Sequence, residues 1–179
     1  MKKLLTLIIP CLLLVGCATK KSEPETSSEP EQVVSLKVDY TNDGGANIPT
    51  AWNDGDTAET VRKATYTVGE QQFSLEFVGK WYLSTDKQEY QAKKDPVSYV
   101  RAASELVVKR MVVEVFKADA EVYLTNDHTG EKLTGTEATA DHSDGTALSY
   151  EINSANWSIL AKETYKGSSI NFYSFTFYF

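Results

Sequence analysis

The sequence predicts a mostly β domain, an antiparallel sheet or sandwich that carries one amphipathic helix and so belongs to the α+β class. Several segments alternate apolar and polar residues with the period of two that is typical of strands. Clusters of Gly, Asn and Asp separate these segments, and such clusters favour turns. The 179 residues are 41% hydrophobic and 24% charged, which is the composition of a globular protein.

The first part of the domain predicts a strand, a long loop and a hairpin. Alternation over 34–40 indicates the first strand. Residues 41–60 contain Asn-Asp-Gly-Gly and Asn-Asp-Gly-Asp, and loops of this length are commonly functional. Segments 65–68 and 72–78 predict a hairpin that turns at Gly69-Glu70, and we expect 79–83 to continue its second strand.

Residues 96–117 predict the helix. Asp95 suits a helix N-cap, and Pro96 suits the first helical position. Apolar residues then recur at the three- and four-residue spacing of a helix face: Val97, Val100, Val107, Val108, Met111, Val112 and Val115. The many valines also suit a strand, but a strand would bring Lys109 and Arg110 into the middle of a sheet, which favours the helix.

The rest of the domain predicts strands joined as hairpins. The expected strands are 121–125, 132–136, 146–153, 157–165 and 169–179, with the last two flanking a turn at 166–168. The aromatic C-terminus predicts a central core strand that is apolar on both faces.

The N-terminus predicts export and a lipid anchor. Lys2 and Lys3 precede an apolar run of about twelve residues, which is shorter than the roughly 20 that a membrane-spanning helix needs. The run ends in Leu-Val-Gly-Cys-Ala at 14–18, which resembles the lipobox of bacterial lipoproteins. The resemblance implies that 1–16 is a signal peptide, that cleavage occurs before Cys17, and that the Cys17 sulfur carries fatty chains. It also implies that the protein is located on the outer face of the plasma membrane, or on the outer membrane of a two-membrane cell.

Residues 17–32 then form a tether ahead of a single domain at 33–179. The stretch from 20 to 32 consists of Lys, Ser, Glu, Pro, Thr and Gln, and it cannot bury enough apolar area to offset the entropy of ordering. Val33 opens the first apolar alternation and so marks the start of the domain.

Charge and motifs exclude several function classes. Eighteen Lys+Arg against 25 Asp+Glu give a net charge of −7, which argues against nucleic acid as a partner. The zinc-protease, nucleophile-elbow, phosphate-loop and Cys-x-x-Cys motifs are absent. His128 and His142 each follow an Asp and are the candidates for a metal site or a His-dependent hydrolase, but their neighbours favour polar turns. We therefore predict no enzyme, no cofactor and no metal.

The candidate ligand-binding residues are Trp52, Asp54 and Asp56 in the long loop. A tryptophan beside carboxylates can stack on a sugar ring or bind the surface of another protein. The acidic loop also invites a calcium site, but the EF-hand spacing does not continue after Asp56.

These observations predict a lipid-anchored cell-surface lipoprotein that binds an extracellular protein or glycan without catalysis. One alternative comes from Gly79-Lys80-Trp81, which resembles the Gly-x-Trp signature of lipocalin-like barrels and implies a carrier of a small apolar ligand. The other alternative is the His-dependent hydrolase.

Overall fold

Two antiparallel sheets make up the described part of the chain. The computed structural model describes residues 33–116, 122–125, 139–141, 146–161 and 166–179. In chain order the strands are β1 (Ser35–Asp39), β2 (Val61–Val68), β3 (Gln71–Val78), β4 (Trp81–Ser84), β5 (Glu89–Lys93), β6 (Tyr99–Ala102), β7 (Val108–Val115), β8 (Val122–Thr125), β9 (Thr139–Asp141), β10 (Thr146–Ser154), β11 (Ser158–Ala161) and β12 (Ser169–Tyr178). The prediction of a mostly β, antiparallel fold is confirmed.

The first sheet has seven strands and the second has five. The first runs in the order β4-β5-β12-β7-β10-β9, and β1 also pairs with β12. The second runs in the order β2-β3-β6-β11-β8. The loop at 41–60 therefore carries the chain from β1 in the first sheet to β2 in the second.

Strand β12 is the centre of the first sheet. One of its edges pairs with β7, while β5 pairs with residues 169–172 and β1 with residues 174–178 along the other edge. The register with β7 shifts between Phe172 and Ser174, so Tyr173 is the extra residue of a β-bulge. The predicted central position of this strand is confirmed, and the bulge moves its buried face from Phe172 to Phe175 and Phe177.

The core consists mainly of aromatic rings from both sheets. The ring centroids of Phe73 and Phe177 are 5.0 Å apart, and Phe77 meets Trp81 edge-on at 5.1 Å. Trp157, just before β11, stacks on Phe177 at 5.4 Å. These ring pairs join residues of the second sheet to residues of the first and hold the sheets together.

The local predictions for several strands are confirmed. Strand β1, the β2–β3 hairpin, β8 and β10 lie where alternation places them. The strand expected at 132–136 lies outside the described residues.

The predicted helix over 96–117 is wrong. Asp95 and Pro96 lie in a turn, and the described residues after it form β6 and β7. From Met111 onward, β7 alternates buried and outward residues, so its valines satisfy the period of a strand as well as that of a helix. The argument against a strand was that it would bury Lys109 and Arg110. In the structure Lys109 is exposed, and the guanidinium of Arg110 lies 4.1 Å from the centroid of the outward Tyr178 ring.

The predictions that 79–83 extend β3 and that the last two strands form a hairpin are also wrong, because the chain changes sheet at both places. Residues 79–83 do not extend β3; β4 starts at Trp81 and pairs with β5 in the first sheet. Likewise β11 pairs with β6 and β8 in the second sheet, whereas β12 belongs to the first, so these two described strands do not pair as the predicted hairpin.

Gly79 makes the first of these sheet changes possible. Its φ is +95°, and a Cβ added there would lie 2.6 Å from Ser98 Oγ and 2.8 Å from Ser98 Cα. Ser98 is held in place because its Oγ accepts the backbone N–H of Lys80 at 2.9 Å. Only glycine combines this backbone angle with so close a neighbour.

We expect Gly79→Ala to lower the free energy of unfolding by about 2 kcal/mol or more, because strained backbone and steric overlap act together. Gly69→Ala is the matched control, since Gly69 has a φ of +60° but nothing within 4 Å of an added Cβ. The control should lose only about 1 kcal/mol. Urea unfolding followed by circular dichroism measures both variants, and equal losses would contradict the role given to Ser98.

Candidate functional site

The long loop at 41–60 is fastened to strands of both sheets. The N–H of Thr65 in β2 donates to the carbonyl of Gly44 at 2.9 Å, and that of Leu83 in β4 donates to Pro49 at 2.8 Å. Ile48 is only 5% exposed and belongs to the core. The loop therefore has a fixed path, which suits a binding surface that is formed in advance.

Two buried tyrosines hold the start of this loop through their hydroxyl groups. Tyr66 donates to the carbonyl of Asn42 at 3.2 Å, and Tyr90 donates to the carbonyl of Asp39. Burial, assisted by the charges of Asp43 and Asp39, raises the pKa of the Tyr66 phenol well above its usual range. Burial likewise raises the pKa of Tyr90, so both phenols remain protonated donors.

Trp52 lies half-buried on outward side chains of the β4–β5 hairpin. Its ring centroid is 5.3 Å from that of Tyr82, and the Nζ of Lys93 lies 4.5 Å from the Trp52 ring centroid. A lysine in this position is attracted to the negative face of the indole. We call Trp52, Tyr82 and Lys93 the Trp52 patch.

The two predicted carboxylates each meet a cation. Asp54 is exposed, and its Oδ1 lies 3.1 Å from the Nζ of Lys80. Asp56 is 8% exposed, and its Oδ1 accepts Arg62 Nη2 at 2.8 Å and Asn53 Nδ2 at 2.9 Å. The Asp56 carboxylate thus fixes the loop to β2, since a buried charge needs a partner of this kind.

The structure therefore places Trp52 beside Tyr82 and Lys93, while the carboxylates of Asp54 and Asp56 pair with other residues. Tyr82 and Lys93 are not among the residues predicted from the sequence, because alternation makes 79–83 part of β3 and gives no strand at β5. Asn-Asp-Gly-Asp gave no signal that its last carboxylate would be buried against an arginine of the following strand.

The remaining candidate residues are only partly within the described chain. Trp81 is fully buried, and its Nε1 donates to the carbonyl of Val78 at 2.9 Å. Cys17, His128 and His142 lie outside the described residues. The lipocalin-like and hydrolase alternatives stay predictions.

Comparisons with known proteins give no relative. The chain matches no protein-family model, no curated protein and no solved structure. In the part of the chain that the structure describes, no group of three His, Cys, Asp or Glu side chains is placed to hold a metal ion. The same residues include no helix with the length and hydropathy needed to span a bilayer.

Proposed function

We propose that this protein is a lipid-anchored cell-surface lipoprotein whose domain at 33–179 binds an extracellular protein or glycan and performs no covalent chemistry. The anchor part of the proposal rests on the Leu-Val-Gly-Cys-Ala sequence at 14–18 and the polar tether that follows it. The binding part rests on one observation: a half-buried tryptophan lies on a fastened loop, beside a tyrosine and a lysine.

The chemistry of the Trp52 patch supports recognition of another molecule. Tryptophan and tyrosine provide large apolar rings with a polar atom at the edge, and they are enriched where binding energy concentrates. Lys93 adds a donor that hydroxyl and carbonyl groups can accept from. Because the loop is already fastened to β2 and β4, little ordering entropy opposes binding there.

The position of the long loop relative to the first described residues fits the same proposal. Val33 precedes β1 at one end, where the N–H of Phe179 donates to the carbonyl of Val34 at 2.9 Å. The long loop leaves β1 at its other end, and five residues of antiparallel strand extend about 17 Å. The start of the described domain and the long loop therefore lie at opposite ends of β1.

The proposal is tested with a glycan array and a set of immobilised extracellular-matrix proteins, probed with the full-length protein. We expect the wild-type protein to bind at least one probe, and Trp52→Ala to weaken that binding by about tenfold or more. Phe116→Ala is the matched control, because Phe116 is an aromatic residue that is 53% exposed and lies just after β7, away from the Trp52 patch. Absence of binding to every probe, or equal binding by Trp52→Ala and the wild-type protein, would contradict the proposal.

A further inference from the structure

A pocket lies on the outward face of the first sheet, where β1 and β5 meet along β12. The pocket has a volume of about 220 Å³. Lys37, Asp39 and Tyr40 contribute from β1 and the residue after it, and Glu114 and Tyr173 contribute from β7 and β12. Lys87 and Gln88, in the turn between β4 and β5, close the remaining side.

Two backbone irregularities converge on this pocket. Tyr173 is the extra residue of the β12 bulge, and bulges commonly redirect a side chain next to a functional site. Gln88 has a φ of +57°, a left-handed backbone conformation that residues other than Gly, Asn and Asp seldom adopt. Backbone in such a conformation persists only where the surrounding structure stabilises it, and it is found most often at functional sites.

The acidic side chains of the pocket are held in position. Asp39 and Glu114 lie opposite Ser174 on its two neighbouring strands. Asp39 Oδ1 accepts the backbone N–H of Thr41 at 2.9 Å, and Glu114 Oε2 accepts the hydroxyl of Ser174 and lies 3.6 Å from Lys37 Nζ. These contacts use one oxygen of each carboxylate, so Asp39 Oδ2 and Glu114 Oε1 can accept hydrogen bonds from a ligand.

The lining favours a ligand that is neutral and rich in hydroxyl groups. Two lysines and two carboxylates give a formal charge of zero, so neither an anion nor a cation gains a net attraction. Carboxylates, ammonium groups and the Gln88 amide together offer both donors and acceptors, while Tyr40 and Tyr173 add aromatic surface. Pockets for drug-sized ligands measure roughly 300–1,000 Å³, so this smaller pocket suits a single ring.

We propose that this pocket binds one neutral sugar residue of a glycan. The inference rests on the proposed binding function, for which it names the ligand class, and it adds a site separate from the Trp52 patch. The sugar's hydroxyl groups donate to Asp39 and Glu114 and accept from Lys87 and Gln88, and one face of the ring lies against a tyrosine.

Titration of the full-length protein with neutral methyl hexosides and N-acetylglucosamine, followed by saturation-transfer NMR, tests the inference. We expect at least one of these sugars to bind in the millimolar range, and Lys87→Ala to weaken that binding by about fivefold, the effect of losing one hydrogen bond. Lys63→Ala, at an exposed lysine of β2 away from the pocket, should bind as the wild-type protein does.

Gln88→Gly separates a binding role from a structural one. Glycine accepts the left-handed backbone without strain, so the variant should keep or raise Tm while sugar binding weakens. A fall in Tm with unchanged sugar binding would show that Gln88 serves the turn alone and would overturn the inference.

Charged probes decide the ligand class. Galacturonate, galactosamine and glycine should each bind more weakly than the neutral sugars, and preference for any of them would overturn the inference. Loss of neutral-sugar binding in Trp52→Ala but not in Lys87→Ala would also overturn it, because the sugar would then occupy the Trp52 patch. If no sugar binds while Trp52-dependent binding on the array persists, only the pocket inference fails.

Discussion

Replacing Trp81 with alanine should lower the free energy of unfolding by about 3–5 kcal/mol, as removal of a buried aromatic ring does. The Trp81 side chain is fully buried between the sheets, against Phe77 of β3 at 5.1 Å and Phe172 of β12 at 5.8 Å. The substitution leaves a cavity at the contact between the sheets and removes the donor from the carbonyl of Val78. Domains of this size have a total stability of about 5–15 kcal/mol, so much of it is lost.

Thermal and urea unfolding measure this loss, and Tm should fall by roughly 10 °C or more. Two conservative variants separate ring volume from hydrogen bonding. Trp157 is also fully buried, but its Nε1 has no hydrogen-bond partner among the described residues. Trp81→Phe should therefore cost about 1 kcal/mol more than Trp157→Phe, because it alone leaves a carbonyl without its donor. Equal losses would contradict the structural role assigned to the Trp81 indole N–H.

Replacing Cys17 with alanine should abolish fatty acylation of the protein. The lipobox resemblance implies that the lipid is attached to this sulfur, and two or three acyl chains would give durable membrane attachment at about 0.8 kcal/mol per buried CH₂ group. Cells grown with alkyne-tagged palmitate should label the wild-type protein, and Cys17→Ala should fall to background.

Cys11→Ala is the matched control, since Cys11 is the other of the chain's two cysteines and belongs to the expected signal peptide. This variant should label as strongly as the wild-type protein does. Label that persists in Cys17→Ala, or that is lost in Cys11→Ala, would place the lipid elsewhere.

The strands that alternate strictly between apolar and polar residues could be predicted from the sequence. Residues 34–40 and the hairpin at Gly69-Glu70 are local features, in which neighbouring residues alone determine which face is buried. The helix prediction for β7 is wrong because a run of valines fits the period of a strand as well as that of a helix. The deciding contact of Arg110 with Tyr178 joins residues that are far apart in the chain and could not be predicted from either segment alone.

The changes of sheet and the sites depend even more on long-range contacts. The sequence around Gly79 does not indicate that Ser98 lies against it, and the prediction that 79–83 continue β3 is wrong for this reason. The Trp52 patch needs β5, whose short sequence Glu-Tyr-Gln-Ala-Lys has too little apolar alternation to indicate a strand. The pocket that Asp39, Glu114 and Tyr173 line brings together β1, β7, β12 and a turn, and no single segment contains its chemistry.

Mass spectrometry of the N-terminal peptide from the native protein tests the lipid anchor most directly. We expect a chain that begins at Cys17 and carries a diacylglyceryl group in thioether linkage to its sulfur. A free thiol at this position, or a protein that retains residues 1–16, would contradict it.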